Sequence, residues 1–462
     1  MSPVSIESLE DTTETGARTA ARAFAAGWSR PPGPLPEPLR WSLRERAAQL
    51  ARGALTAAAF GAEADPWAFA ADTHYRACSE LREGESPVRL GVKDTVDVAG
   101  FATRLGLRRH RHYPRRSAAP LTGLRGLSTV AKLVTTELNL GIGSGCGNPY
   151  FPRLDPAGSS TGCGVAVAAG ICDLALGTDV LGSVRWPAGR CGVVGLRLTH
   201  TDRLHGVFPL CPSMDAPGWV ARTADDLAYA AEHCGLPIGP VPAGPYRVGV
   251  VTEALATVEP EILDGVRTTI ELLRTAGHAV TEVRVGEPWS WRSAAWELCA
   301  RAAWDALPQW RGWLAEDLGP ATEKAVAAGA DVTDARLHEI VTAQHRLRVA
   351  NDGWFAGLGV DALLLPLDPK VPVPRDPAED RTRSTIPLTR TRTGIDHEDD
   401  IGYTPLASFT GLPALTFPVA TARDGVVPVA MQLVGRPHAD GELVSLARDA
   451  ERVRGPLGFA PR

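Results

Sequence analysis

Three strings of this sequence hold residues whose types and spacing could do chemistry: GVKDTVDVAG at 91–100, DPAGSSTGCGVAVAAG at 155–170 and LALGTDVLGSVRWPAGRCGVVGLR at 174–197. They combine serine and threonine hydroxyls, closely spaced glycines and one lysine. Lysine is scarce here: Lys93, Lys132, Lys324 and Lys370 stand against 44 arginines. A lineage bias toward arginine accounts for the ratio. It also poses a chemical question, because a lysine can give up its proton and serve as a base whereas a guanidinium cannot. The segment Gly158-Ser159-Ser160-Thr161-Gly162 satisfies G-x-S-x-G, which would make Ser160 the nucleophile of an α/β-hydrolase. That motif needs a strand before it, and PYFPRLDPA, with its prolines, is not one. Ser160 is therefore read as a loop support that acts by hydrogen bonding.

The elements that would position these residues can be read from periodicity. Residues 38–82 are rich in Ala, Leu, Arg and Glu at helical spacing and predict two or more helices. A short strand, VRLGV, runs into Lys93, and 101–126 reads as loop. The glycine density of 141–195 predicts close backbone approach around the segment GVAVAAGICDLALG. From 245 onward strand and helix alternate: YRVGVVTE, a helix over 258–276, AVTEVRV, long helices over 290–356, and VDALLLP. A Pro, Arg and Asp-rich loop follows over 369–400, then strands ALTFPVA and VPVAMQLVG and a closing helix over 440–453. This is α/β texture, with no internal repeat and no convincing interdomain linker.

Composition narrows the classes. The 462 residues are 44% hydrophobic and 22% charged with a net charge of −5, which suits a soluble globular chain with a large core. No global basic balance points to nucleic acid or to an anionic membrane surface. The opening residues MSPVSIESLEDTTETG lack the features of a signal peptide, and no apolar run reaches membrane-spanning length, so a cytoplasmic protein is expected. Eight dispersed cysteines without a CxxC pair fit reduced thiols, and neither a metal nor an organic cofactor is expected.

Taken together, the three strings resemble the amidase-signature family of serine hydrolases, whose usual pattern is a G(V/I)KD string, a GGSSGGS loop and a GTDxGGSxRxPA loop ending in GxxGxKPT. The resemblance continues through GVFPLCPSMDAPGWVARTADDLA at 206–228, YTPLASFTGLPALTFPVA at 403–420 and VPVAMQLVGRPHADGELVSLARDAER at 427–452. It implies an α/β fold with a large central mixed sheet flanked by helices on both faces. One domain would span 1–462: a helical N-terminal segment at 1–85, the signature core at 86–230, and a substrate-pocket segment completing the sheet at 231–462. It also implies Ser183 as nucleophile, Ser159 as bridging serine and Lys93 as base, with a cis peptide between Gly158 and Ser159. Burial would have to lower the lysine from its ordinary ~10.4. Backbone N–H groups of Val180, Leu181, Gly182 and Ser183 would hold the oxyanion, and Gly158, Ser160, Asp179 and Arg185 would support the loops. The pairing of Asp179 with Arg185 is expected to stiffen the nucleophile loop, with contact to a substrate carboxylate as the other reading.

The implied reaction is hydrolysis of a small-molecule amide through an acyl-enzyme. A biosynthetic acyltransferase, or amide- or ester-forming enzyme, would use the same intermediate, and a partner-dependent or non-catalytic component of a transamidating complex is a further reading. No nucleic-acid or membrane partner is implied, and a homodimer is left open. The chain departs from the family pattern at Ala157, Thr161, Cys163 and Leu181, and Arg197-Leu198-Thr199 stands for KPT. If position 181 needs a positive φ, leucine is costly there; if not, it narrows the pocket mouth. Lys132 is read as structural, Lys324 as exposed on a helix and Lys370 as a loop residue. The basic run from Arg108 through Arg116 is either a solvated loop or a surface for an anionic substrate or carrier partner. His397-Glu398-Asp399-Asp400 is read as an acidic loop rather than a metal site.

Overall fold

The computed structural model describes residues 33–140, 144–374, 401–459 and 461. One eleven-stranded mixed sheet runs through them in the order β1-β3-β2-β4-β6-β5-β10-β11-β9-β7-β8. The strands are β1 (Cys78–Leu81), β2 (Arg89–Lys93), β3 (Ser128–Leu133), β4 (Leu174–Asp179), β5 (Val194–Arg197), β6 (Ala216–Ala221), β7 (Arg247–Val251), β8 (Ala279–Val283), β9 (Ala362–Pro366), β10 (Ala414–Ala422) and β11 (Val427–Gly435). β2 lies parallel to both β3 and β4, and β7 lies parallel to β8 and β9. The intervening strands are antiparallel.

Alternation along the strands gives the sheet two apolar faces. In β9, Leu364 packs into one core while Leu363 and Leu365 face another. The first face is covered by helices α1 (Ala57–Tyr75), α2 (Thr161–Ala168), α3 (Ala224–Cys234), α4 (Pro260–Thr275) and α5 (Asp440–Arg454), which contribute Phe60, Val165, Leu227, Val266 and Leu443. Over the second lie Phe355 and Leu406, from the helices Asp334–Leu358 and Pro405–Thr410. Each fully buried leucine or phenylalanine contributes about 1.5–3 kcal/mol, so closing both faces fixes the strand order firmly. The expected fold class, a central mixed sheet with helices on both sides, is the observed one.

The helices begin where side chains can cap them. Thr56 accepts from the N–H of Ala59 at the start of α1, and Thr223 accepts from that of Asp226 at the start of α3. The helix expected over 258–276 is α4, and the closing helix expected over 440–453 is α5. Four strands lie outside the sequence expectation, β4 and β5 among them, where the glycine density predicts close backbone approach and no strand is read. β1 falls inside the stretch read as helical, and β6 contains Pro217-Gly218, a pair that ordinarily marks a turn. Most of the loop expected over 369–400 lies outside the described residues.

Candidate active site

The parallel strands β2 and β4 end side by side, Lys93 closing one and Thr178 and Asp179 closing the other. Carboxyl ends of parallel strands are where open α/β sheets gather ligands. Lys93 is fully buried, with Nζ 2.7 Å from Ser159 Oγ and 2.9 Å from Thr178 Oγ1. Burial lowers the lysine from its ordinary value to about 7, against the opposing acidic groups of Cys163, Asp179 and Asp215. Burial also pushes the Cys163 thiol up to about 12, so it stays protonated at neutral pH. Desolvation thus leaves Lys93 close to an even mixture of amine and ammonium at neutral pH.

Ser159 sits just ahead of α2, buried, and the Gly158–Ser159 peptide is cis. A Cβ on Gly158 would meet Thr136 Cγ2 at 2.8 Å, which is why glycine is needed there. The next residue ties the serine loop to its neighbours: Ser160 N–H donates to the Ser183 carbonyl at 3.1 Å, and Ser160 Oγ donates to the Thr178 carbonyl at 3.1 Å. Ser183 is partly exposed. The three residues thus run from a partly open Ser183 to a sealed Lys93. No described residue hydrogen-bonds Ser183 Oγ, and the loops are joined through main chain.

Asp179 organises the turn that carries Ser183. Its Oδ1 accepts from Gly182 N–H at 2.9 Å and its Oδ2 from Val184 N–H at 3.2 Å. Arg185 forks onto the same carboxylate at 3.0 and 2.8 Å, and Arg197 approaches Oδ1 at 3.3 Å. Burial alone would raise Asp179, but the two guanidiniums and the N–H donors hold it well below the usual carboxylate range. Arg185 also donates to Thr404 O at 2.9 Å, Gln432 Oε1 at 2.6 Å and Ser408 Oγ at 3.0 Å, and its side chain is sealed from solvent. These partners leave Arg185 placed to stiffen the loop and closed to a substrate carboxylate.

The four backbone donors expected for an oxyanion are not equivalent. Gly182 N–H already points at Asp179, whereas those of Val180, Leu181 and Ser183 meet no acceptor among the described residues. Of the expected four, Gly182 is thus the one whose N–H is engaged within the turn. Leu181 does not take a positive φ; Gly182 does, at 100°, and Thr404 Oγ1 holds the Leu181 carbonyl at 2.8 Å. Leucine therefore costs the backbone nothing at 181. Its side chain belongs to the apolar cluster that also holds Leu105, Leu138 and Phe208. Ala157 is the opposite case, with φ 58° where glycine would be unstrained.

Thr178 and Arg197 are the site residues that sequence reasoning missed. Both lie inside the quoted strings, Thr178 in the GTD triplet and Arg197 at the end of β5. Lys132 is buried, donating to Val96 O and to Thr103 Oγ1 at 3.2 Å, 3.6 Å from Asp94 Oδ1, in keeping with a structural reading. Lys324 is exposed on the helix Pro320–Ala327, and all eight cysteines are buried and outside any disulfide. The basic run docks through the N–H groups of Arg109 and His110 onto Glu316 Oε1. Among the described residues no cluster of His, Cys, Asp and Glu could hold a metal ion, and no helix is long and apolar enough to cross a membrane. The run His397-Glu398-Asp399-Asp400 lies outside the described residues.

Comparison with known proteins places this geometry in a family. The sequence model of the Amidase family matches residues 44–236 and 241–444. A glutamyl-tRNA(Gln) amidotransferase component from Thermus thermophilus is 30% identical, over 80% of this chain and 87% of its own length. The 2-amino-5-chloromuconic acid deaminase of Comamonas testosteroni is also 30% identical, over 79% and 81%. A crystal structure described as an amidase superposes with a TM-score of 0.73 at 27% identity, covering 90% of this chain and all of the other. With the family matched along nearly its whole length and the sheet reproduced, the chain belongs to the amidase family, the amidase-signature enzymes that hydrolyse amides.

Proposed function

We propose that this protein cleaves a carboxylic amide C–N bond through an acyl-enzyme on Ser183, with Ser159 and Lys93 as its proton relay. The observation that carries this reading is a buried lysine, lowered to about 7, within 2.7 Å of a serine whose neighbour is bonded to the Ser183 main chain. A neutral amine keeps an N–H on Thr178 Oγ1 while its lone pair accepts the Ser159 proton. Ser159 in turn takes the proton of Ser183 as Ser183 Oγ bonds to the substrate carbonyl carbon. The oxyanion is met by the N–H groups of Val180, Leu181 and Ser183, each such donor being worth ~3 kcal/mol. As the C–N bond breaks, Lys93 returns the proton through Ser159 to the leaving nitrogen. Water then repeats the sequence at the ester, releasing the carboxylic acid and restoring Ser183.

Incubating the protein with a panel of small amides and reading its intact mass tests this. An adduct of the acyl group, absent in Ser183→Ala, is the expected result. An adduct that persists in Ser183→Ala overturns the assignment. The similarity to a glutamyl-tRNA(Gln) amidotransferase component supports a second reading, in which the chain works as one component of a partner complex. Steady hydrolysis of an amide by the isolated chain argues against that reading. A cytoplasmic location and a single domain over 1–462 belong to the same proposal.

A further inference from the structure

Two glycines near the candidate nucleophile are shaped around one aromatic ring. A Cβ on Gly182 would lie 2.6 Å from Trp186 Cδ1, and a Cβ on Gly402 would lie 2.9 Å from Trp186 Cζ2 and 3.2 Å from Cη2. Both glycines take positive φ, 100° and 50°, which side chains resist even where there is room. The five-membered edge of the indole thus meets the turn that carries Ser183, and the six-membered edge meets the segment leading into Thr404. Thr404 closes the same circuit by hydrogen bonding, its hydroxyl lying 2.8 Å from the carbonyl oxygens of Leu181 and of Ile401.

The ring is also tied to the loop of the bridging serine. Trp186 is buried and belongs to a small apolar cluster with Ala157, Leu367 and Ala430. Ala157, held at φ 58°, directly precedes Gly158 and Ser159. Over the indole stands the Arg190 guanidinium, 5.1 Å from the ring centroid and fixed by Asp368 at 2.9 Å. Trp186 itself falls between Arg185 and Pro187, at a position that the family pattern leaves open.

We propose that Trp186 is a positioning residue for the acyl transfer: its indole is the spacer that sets where the 180–183 turn stands relative to the Ser159 loop. The proposal rests on the reading of Ser183 as nucleophile. Asp179 fixes the internal shape of the turn through its N–H groups, whereas the indole fixes its place, acting through the main chain of Gly182 and Ala157. Placement of this kind matters because a displacement of about 1 Å at reacting groups can cost about 100-fold in rate.

The probe is diisopropyl fluorophosphate, whose phosphorus takes Ser183 Oγ with loss of fluoride, and labelling is followed by intact mass over a range of probe concentrations. The parent chain is compared with Trp186→Phe, Trp186→Ala and Leu367→Ala, each checked by thermal denaturation. Phenylalanine keeps an aromatic ring but lacks the reach to meet both glycines. The maximal labelling rate should fall about tenfold in Trp186→Phe and about 100-fold in Trp186→Ala, with the half-saturating concentration held. Leu367→Ala removes bulk from the same cluster and should lose thermal stability while labelling at the parental rate. Parental rates in the Trp186 variants, a loss confined to the half-saturating concentration, or an equal loss in Leu367→Ala overturns the proposal. If Trp186→Ala does not fold, Trp186→Phe decides alone. A parent chain that takes no probe fells the Ser183 reading and this proposal with it, whereas a labelled parent with unaffected variants fells this proposal only.

Discussion

The main-chain N–H of Ser160 donates to the main-chain oxygen of Ser183 at 3.1 Å, so the loop carrying Ser159 and the turn carrying Ser183 are fastened to each other rather than only to the sheet. Ser160 Oγ adds a second fastening to Thr178 O. Ser160→Ala keeps the first bond and loses the second, at about 1 kcal/mol of stability. Its kcat should fall while KM holds, since the hydroxyl positions the relay without touching substrate. An unchanged kcat with the same loss of stability would reduce Ser160 to a structural role.

At position 93 the side chain must be able to become neutral. Lys93→Arg should therefore be nearly as inactive as Lys93→Ala, because the arginine keeps its charge at any working pH. Ser159→Ala and Ser183→Ala should also abolish turnover. Measured amide hydrolysis by Lys93→Arg above a tenth of the parent rate would show that charge, not basicity, is what the site uses.

The pH–rate profile should carry a limb near 7. Below it Lys93 is protonated and cannot accept from Ser159; above it the amine is neutral and kcat/KM levels off. Removing the Thr178 hydroxyl takes away an acceptor that favours the charged form. Thr178→Val should therefore move the limb to lower pH, and a limb that stays in place would remove Thr178 from the relay.

Asp179→Asn leaves Arg185 and Arg197, both sealed from solvent, facing a neutral amide. Breaking one partner of a buried charge cluster costs about 3–5 kcal/mol. Urea denaturation should show a loss of this size, with a lower midpoint and an unchanged slope. A loss below about 1 kcal/mol would mean that the guanidiniums are held by their carbonyl partners instead.

Two glycine-related substitutions should go opposite ways. Ala157→Gly relieves a left-handed residue at φ 58°, worth ~1–2 kcal/mol, against ~0.4–1 kcal/mol of extra unfolded-state entropy. Thermal denaturation should show equal or higher stability. Gly182→Ala would place a Cβ 2.6 Å from both Thr404 Oγ1 and Trp186 Cδ1 at φ 100°, and should disrupt the turn and turnover together.

The sequence made the site legible where its parts are local. Lys93, Ser159, Ser183 and Asp179 sit in short strings whose order and spacing carry the family resemblance, and the long apolar strands from β7 onward announce themselves by periodicity. What could not be read is what arrives from far along the chain. Arg185 reaches Thr404, Ser408 and Gln432, more than 200 residues away, and no local pattern foretells that closure. β6 was hidden because Pro217 and Gly218 imitate a turn, although flanking strands β4 and β5 hold them extended. Gly182 looked like an oxyanion donor by position, and only the placement of the Asp179 carboxylate showed its N–H to be engaged.

The burial of Lys93 and Lys132 has a practical side. Of the four lysines, only Lys324 and Lys370 reach solvent. An amine-directed crosslinker, label or resin would therefore find lysine at those two places, while Lys93 and Lys132 stay sealed in the interior. Coupling through lysine should therefore leave Lys93 unmodified and turnover intact.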